Sequence, residues 1–200
     1  PLIAAQFETK RKAAGKGPIW PEDFDRMNWY EAGTKEFCWL INGQTFDLDA
    51  PEERCNQTFD FEEASEDNHL IEAVFIPGHT VGSVMFFDWK NHILFSGDDL
   101  DYSLWMHFDT SAPLYTYKNR LKQLEQYPIE AILPSHKKQL LSTWLLKRMP
   151  EAIEHLSVEK SRRFYHPRTG QPGWLYKEAL NGESPDGQDM IYITYQINNM

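Results

Sequence analysis

From residue 70 onward, apolar and polar positions fall into short blocks with clear periods. Residues 70–76 (LIEAVFI) and 83–89 (SVMFFDW) are apolar runs of strand length, and residues 93–95 (ILF) add a third after the Lys90-Asn91 turn. Residues 114–126 (LYTYKNRLKQLEQ) carry Leu114, Tyr117, Leu121 and Leu124 at helical spacing. Residues 129–133 predict a short buried strand. Residues 139–156 predict a long helix with apolar Leu140, Trp144, Leu145 and Ile153, interrupted by Pro150. A stretch rich in Pro and Gly, 166–174, precedes a last strand over 190–197.

The first third is less regular. Residues 2–14 (LIAAQFETKRKAA) predict an amphipathic helix that stops near Gly15, and residues 21–31 a short helix opened by Pro21. Residues 35–41 and 44–48 flank Asn42-Gly43, the strongest hairpin signal in the chain. Residues 49–67 are acidic and read as a loop. No internal repeat or low-complexity segment interrupts the sequence.

Strand–strand–strand–helix–strand–helix is an α/β order with a layered sheet. Three polar motifs each follow a strand: Pro77-Gly78-His79-Thr80-Val81-Gly82-Ser83, then Gly97-Asp98, then Pro134-Ser135-His136. Open α/β sheets place ligands at the carboxyl ends of strands. Two imidazoles and a carboxylate gathered there suit zinc, iron or manganese.

Taken singly, each motif has an ordinary structural explanation. His79 could sit in a plain strand-to-loop turn, Asp98 could cap a turn, and His136 could be a surface residue at a helix N-terminus. Asp99 rivals Asp98 for the ligand role. Gly78 permits a sharp turn, and Thr80 and Ser83 can hydrogen-bond its amides or groups behind a ligand. His69, His92, His155 and His166 read as structural. Trp105 and His107, the candidates for lining a substrate pocket, belong to an aromatic segment, 102–108, that either lines such a pocket or covers the core, and for the segment as a whole covering the core is favoured.

Composition narrows the field. A formal net charge of -10 opposes binding driven by nucleic-acid phosphates. Two cysteines are too few for a disulfide framework, and a reducing, cytoplasmic setting is the expectation. No apolar run approaches the roughly 18 residues that span a membrane. Residues 1–15 lack the order of a signal peptide, and Pro1 rather than Met stands first, so a preceding segment is expected.

PGHTVGS, then ILFSGD, a helix and ILPSH resemble the second half of the metallo-β-lactamase fold superfamily, over about residues 70–156. The resemblance implies an αββα sandwich of which this chain supplies mainly the second sheet with its helices. Residues 1–160 would be the partial domain, and 161–200 a C-terminal extension that packs on it or forms a homodimer contact. It also implies two zinc ions, or iron or manganese. His79 would ligate one metal, Asp98 would bridge both and position the nucleophilic water, and His136 would ligate the second. The function implied is metal-dependent hydrolysis of an ester, thioester, lactone or related bond in a small molecule. The superfamily's HxHxDH motif is absent: no histidine precedes His69. The expectation is therefore a piece of a longer hydrolase, inactive alone. The alternative is a non-catalytic domain with a degenerate site, acting in interaction or scaffolding.

Overall fold

The structure, a computed structural model, describes residues 15, 42–47, 70–167 and 170–200. All but Gly15 belong to the compact unit Leu40–Met200. The helices expected over 2–14 and 21–31, the first hairpin strand and the 49–67 loop lie outside the described residues.

The architecture is mixed α/β, with two sheets and two α-helices among the described residues. The first sheet holds β1 (Thr45–Asp47), β2 (Leu70–Phe75), β3 (Val84–Asp88), β4 (Ile93–Gly97), β6 (Ala131–Pro134) and β7 (Leu141–Ser142), in that spatial order. The second holds β5 (Ser103–Met106), β8 (Ser161–Tyr165), β9 (Pro172–Ala179) and β10 (Met190–Tyr195), in the order β5-β10-β9-β8. The helices are α1 (Leu114–Leu121), extended by a 3-10 turn at Lys122–Gln126, and α2 (Trp144–His155).

Apolar alternation drives this arrangement. Met85 and Phe87 on β3, Leu94 on β4 and Ile132 on β6 point into one core. Leu114, Tyr117 and Leu121 of α1, and Leu145, Met149 and Ala152 of α2, meet them at helical spacing. Ile191, Ile193 and Tyr195 of β10 join the same core.

Direction matters most for the site. β2 and β4 each pair antiparallel with β3, and β6 runs parallel to β4. The carboxyl ends of β2, β4 and β6 therefore share one edge, and each of the three motifs starts there.

Several expectations need correction. The helix over 139–156 begins only at Trp144, because Leu141–Ser142 pairs with β6 and the Asp186 carboxylate accepts the Ser142 N–H at 2.9 Å. Pro150 does not break the helix, which runs on to His155 with only the proline's own donor missing. The aromatic segment 102–108 contains strand β5, held in parallel register by β10. The stretch after residue 160 holds two further strands, β8 and β9. In the 161–200 extension, expected to pack on the domain or form a homodimer contact, Tyr195 is fully buried with its hydroxyl on Ser161 at 3.0 Å, while Tyr192 and Ile197 are exposed.

Candidate functional site

The parallel pairing of β4 and β6 places Asp98 beside His136. The ladder shifts register between Phe95 and Gly97, and Gly97 takes φ 58°. Such a bulge with a left-handed glycine turns the chain sharply and re-aims the next side chain. Ser135 N–H donates to Gly97 O at 3.0 Å, tying the two strand ends together. The result is an Asp98 Oδ1–His136 Nε2 distance of 3.1 Å between two largely exposed side chains.

His79 arrives from β2 in a turn stitched to the 108–112 loop. Val81 N–H donates to Thr110 O at 2.7 Å, Ala112 N–H to Gly78 O at 2.9 Å, and Ser111 Oγ–H to His79 O at 2.8 Å. Thr80 and Ser83 close the turn on themselves: the Thr80 N–H donates to Ser83 Oγ at 3.0 Å. The His79 Nδ1 sits 2.8 Å from Trp105 O. A carbonyl can only accept, so Nδ1 carries a proton and a neutral ring keeps its lone pair on Nε2.

Asp99 differs from its neighbour in every respect. Its carboxylate is buried, accepts the His79 N–H at 2.6 Å, and faces the Ser83 hydroxyl. Tyr117 O–H donates to its carbonyl. Burial pushes the Asp99 carboxyl up to about 6, against the pull of those hydrogen bonds. The surroundings of Asp98 and Asp99 are thus different. Asp98 faces the cavity and His136, whereas Asp99 braces the turn behind His79.

A cavity of about 600 Å³ opens at this strand-end edge, within the size range of small-molecule sites. His79, Asp98, His136 and Trp105 all line it. His107 does not. It is fully buried, its Nδ1 lies 2.7 Å from Thr194 Oγ1, and burial lowers its pKa to about 4, with His166 and His79 adding to the shift. Its Nε2 has no hydrogen-bond partner among the described residues.

Sequence reasoning gave no site role to several lining residues, among them Asp101, Lys137 and His166. Asp101 and Lys137 form a pair at 3.8 Å, and burial raises the Asp101 pKa while Lys137 opposes the rise. Phe108 and His166 line the cavity too, His166 coming from the end of β8. Lys137 was legible, since it directly follows His136. His166 carried no local signal, because only the pairing of the second sheet brings it here.

The donor types suit a metal. Among the described residues, no three His, Cys, Asp or Glu side chains gather into a group able to hold an ion. Among those residues, too, no helix is long and apolar enough to cross a membrane.

Comparison with known proteins returns metallo-β-lactamase structures, each over part of the chain. A metallo-beta-lactamase from Pontibacter korlensis is 21% identical over 44% of this chain and 43% of its own, with a TM-score of 0.38. DIM-1 metallo-beta-lactamase is 24% identical over 44% of this chain and 42% of its own, at 0.33. TMB-1 is 16% identical over 76% of this chain and 55% of its own, at 0.39. The chain thus spans 43%, 42% and 55% of the lengths of these structures. No family model and no curated protein matches.

Proposed function

We propose that this chain carries part of the active site of a metal-dependent hydrolase of the metallo-β-lactamase superfamily, acting on an ester, thioester, lactone or related bond. One observation carries the reading: His79, Asp98 and His136, each from the carboxyl end of a different strand of one sheet, line a single cavity. Zinc is the expected metal, with iron or manganese as substitutes. His79 would ligate through Nε2, with Nδ1 oriented by the Trp105 carbonyl. Asp98 and His136 would supply the other donors. A metal held there would supply a water acidic enough to ionise near neutral pH.

The other residues have definable tasks. Asp99 and Ser111 fix the His79 backbone. Ser135 fixes the spacing of Asp98 and His136 through the Gly97 carbonyl. Trp105 lines the pocket, and His107 supports it from behind.

A second reading, a non-catalytic domain of this fold used in interaction or scaffolding, is favoured by the lack of a gathered donor group among the described residues. Zinc titration by calorimetry, followed by gel filtration and metal analysis, separates the two. The hydrolase reading expects weak zinc binding by the 200-residue chain, abolished by Asp98→Ala or His136→Ala. Two equivalents of zinc retained through gel filtration would overturn the idea of a partial site. Zinc binding indifferent to both substitutions would decide for the non-catalytic domain.

A further inference from the structure

We propose that the cavity is shaped for a compound bearing a flat aromatic group, which lies against a wall of rings formed by Trp105, Phe108 and His166. The inference deepens the hydrolase reading and rests on it for the position of the reacting bond.

The cavity has two chemically distinct sides. One is polar: Asp98, His136, Asp101 and Lys137. The other is a set of rings. The His166 and Trp105 ring centroids are 5.1 Å apart at 78°, an edge-to-face arrangement. Phe108 lies 5.8 Å from His166 at 61° and 6.4 Å from Trp105. These spacings fall in the range at which aromatic rings attract one another, so the wall is a packed unit.

Its assembly is not local. Trp105 belongs to β5 and His166 follows β8, the two edges of the second sheet. In a flat sheet those edges would stand about 14 Å apart. The two side chains bridge that width, since their ring centroids are 5.1 Å apart. Buried His107 backs the wall, 4.3 Å from the Phe108 ring and 5.6 Å from His166. Gly173 on β9 lets the strand come close behind it, since a Cβ there would lie 2.9 Å from His107 Cβ. A wall braced in this way is held in place before any ligand arrives, which lowers the ordering cost of binding.

His79 marks the junction of the two sides. Its Nδ1 bonds the Trp105 carbonyl, and its ring lies 5.1 Å from Phe108 at 74°. A flat group on the wall therefore sets an attached carbonyl beside His79, facing the side of the cavity that Asp98 and His136 line. The chemical class that fits is an aryl or arylacyl ester, thioester or lactone.

The test is a binding experiment in EDTA, so that it does not depend on metal. Naphthalene-1-acetate, a non-hydrolysable aromatic acid, and butyrate, its aliphatic control, are titrated into the intact chain and followed by NMR. Naphthalene-1-acetate should bind at least about tenfold tighter than butyrate, with intermolecular NOEs from naphthyl protons to the Trp105 indole and the His166 ring. His166→Ala should weaken it by about fivefold, and His166→Phe should restore it. Equal binding of the two acids, or NOEs confined to other residues, overturns the proposal in the unaltered protein, whatever the variants do. Ring-wall binding together with zinc binding indifferent to Asp98→Ala and His136→Ala would leave this inference standing and remove the hydrolase reading.

Discussion

The backbone N–H of His79 and the side chain of Asp99 are joined at 2.6 Å, although twenty positions separate them. The bond locks the turn after β2 onto the turn after β4. His79 and Asp98 are thereby held by one buried carboxylate that itself stays out of the cavity.

Gly78 is the tightest point of that lock. A Cβ there would press into Asp99 Oδ1 and come within 2.7 Å of the Tyr117 ring, and both neighbours are buried. Gly78→Ala should therefore destabilise the fold by about 1–3 kcal/mol, the usual cost of overpacking. A lowered urea midpoint with an unchanged slope would show it; an unshifted midpoint would contradict the close approach.

The Asp99 carboxyl, pushed up to about 6 by burial, makes stability depend on pH. Between its ordinary value near 3.8 and about 6, the folded chain holds a proton that the unfolded chain has released. Stability from this group therefore falls as pH rises through that window. Asp99→Asn should remove the dependence, so variant and parent should diverge between urea melts at about pH 4 and about pH 7. Parallel pH profiles would count against the burial of Asp99.

His107 titrates in the opposite sense. Its folded-state pKa near 4 lies below the ordinary 6.5, so the unfolded chain binds the extra proton, and stability is lost as pH falls from 6.5 towards 4. Its ring carbon resonance should keep its neutral position down to about pH 5. Thr194→Val should remove the partner of Nδ1 and cost about 1–3 kcal/mol.

The Arg148–Glu178 pair joins α2 to β9 with little exposure of either side chain, and Tyr176 O–H also donates to Glu178, at 2.6 Å. Glu178→Ala should cost about 2–4 kcal/mol, because the Arg148 charge is left mostly buried without its main partner. Restoration by the double variant Arg148→Met/Glu178→Leu would confirm that the lone charge, rather than lost packing, is responsible.

Legibility of the fold and the site in the sequence depends on the range of the interactions. β2, β3, β4 and β6 announce themselves through apolar runs bounded by turn residues, and their motif residues come with them. β8 (SRRFY) carries two arginines and pairs on one side only, so it shows no buried alternation. β9 opens on Pro172 and Gly173, which mimic a loop; a proline is tolerated there because it is the first residue of the strand. β5 is four residues long and is stabilised by a partner far along the chain. His166 reads as part of a structural tail for the same reason: its neighbours in space are remote in sequence. The strand-end placement of His79, Asp98 and His136 was therefore readable, Trp105 and Phe108 were readable only as members of an aromatic segment, and His166 was not.

The parallel pairing of β10 with β5 also sets a timetable for synthesis. Residues are made in order, so a nascent chain that has reached Lys137 already holds every residue of the polar edge. Ser103–Met106, whose one sheet partner among the described residues is β10, must then wait unpaired until Met190–Tyr195 emerges. During that interval an apolar strand edge is open to other chains, the kind of exposure that chaperones cover. Completing the second sheet covers that edge and ties the strand that carries Trp105, a lining residue of the pocket, to its partner.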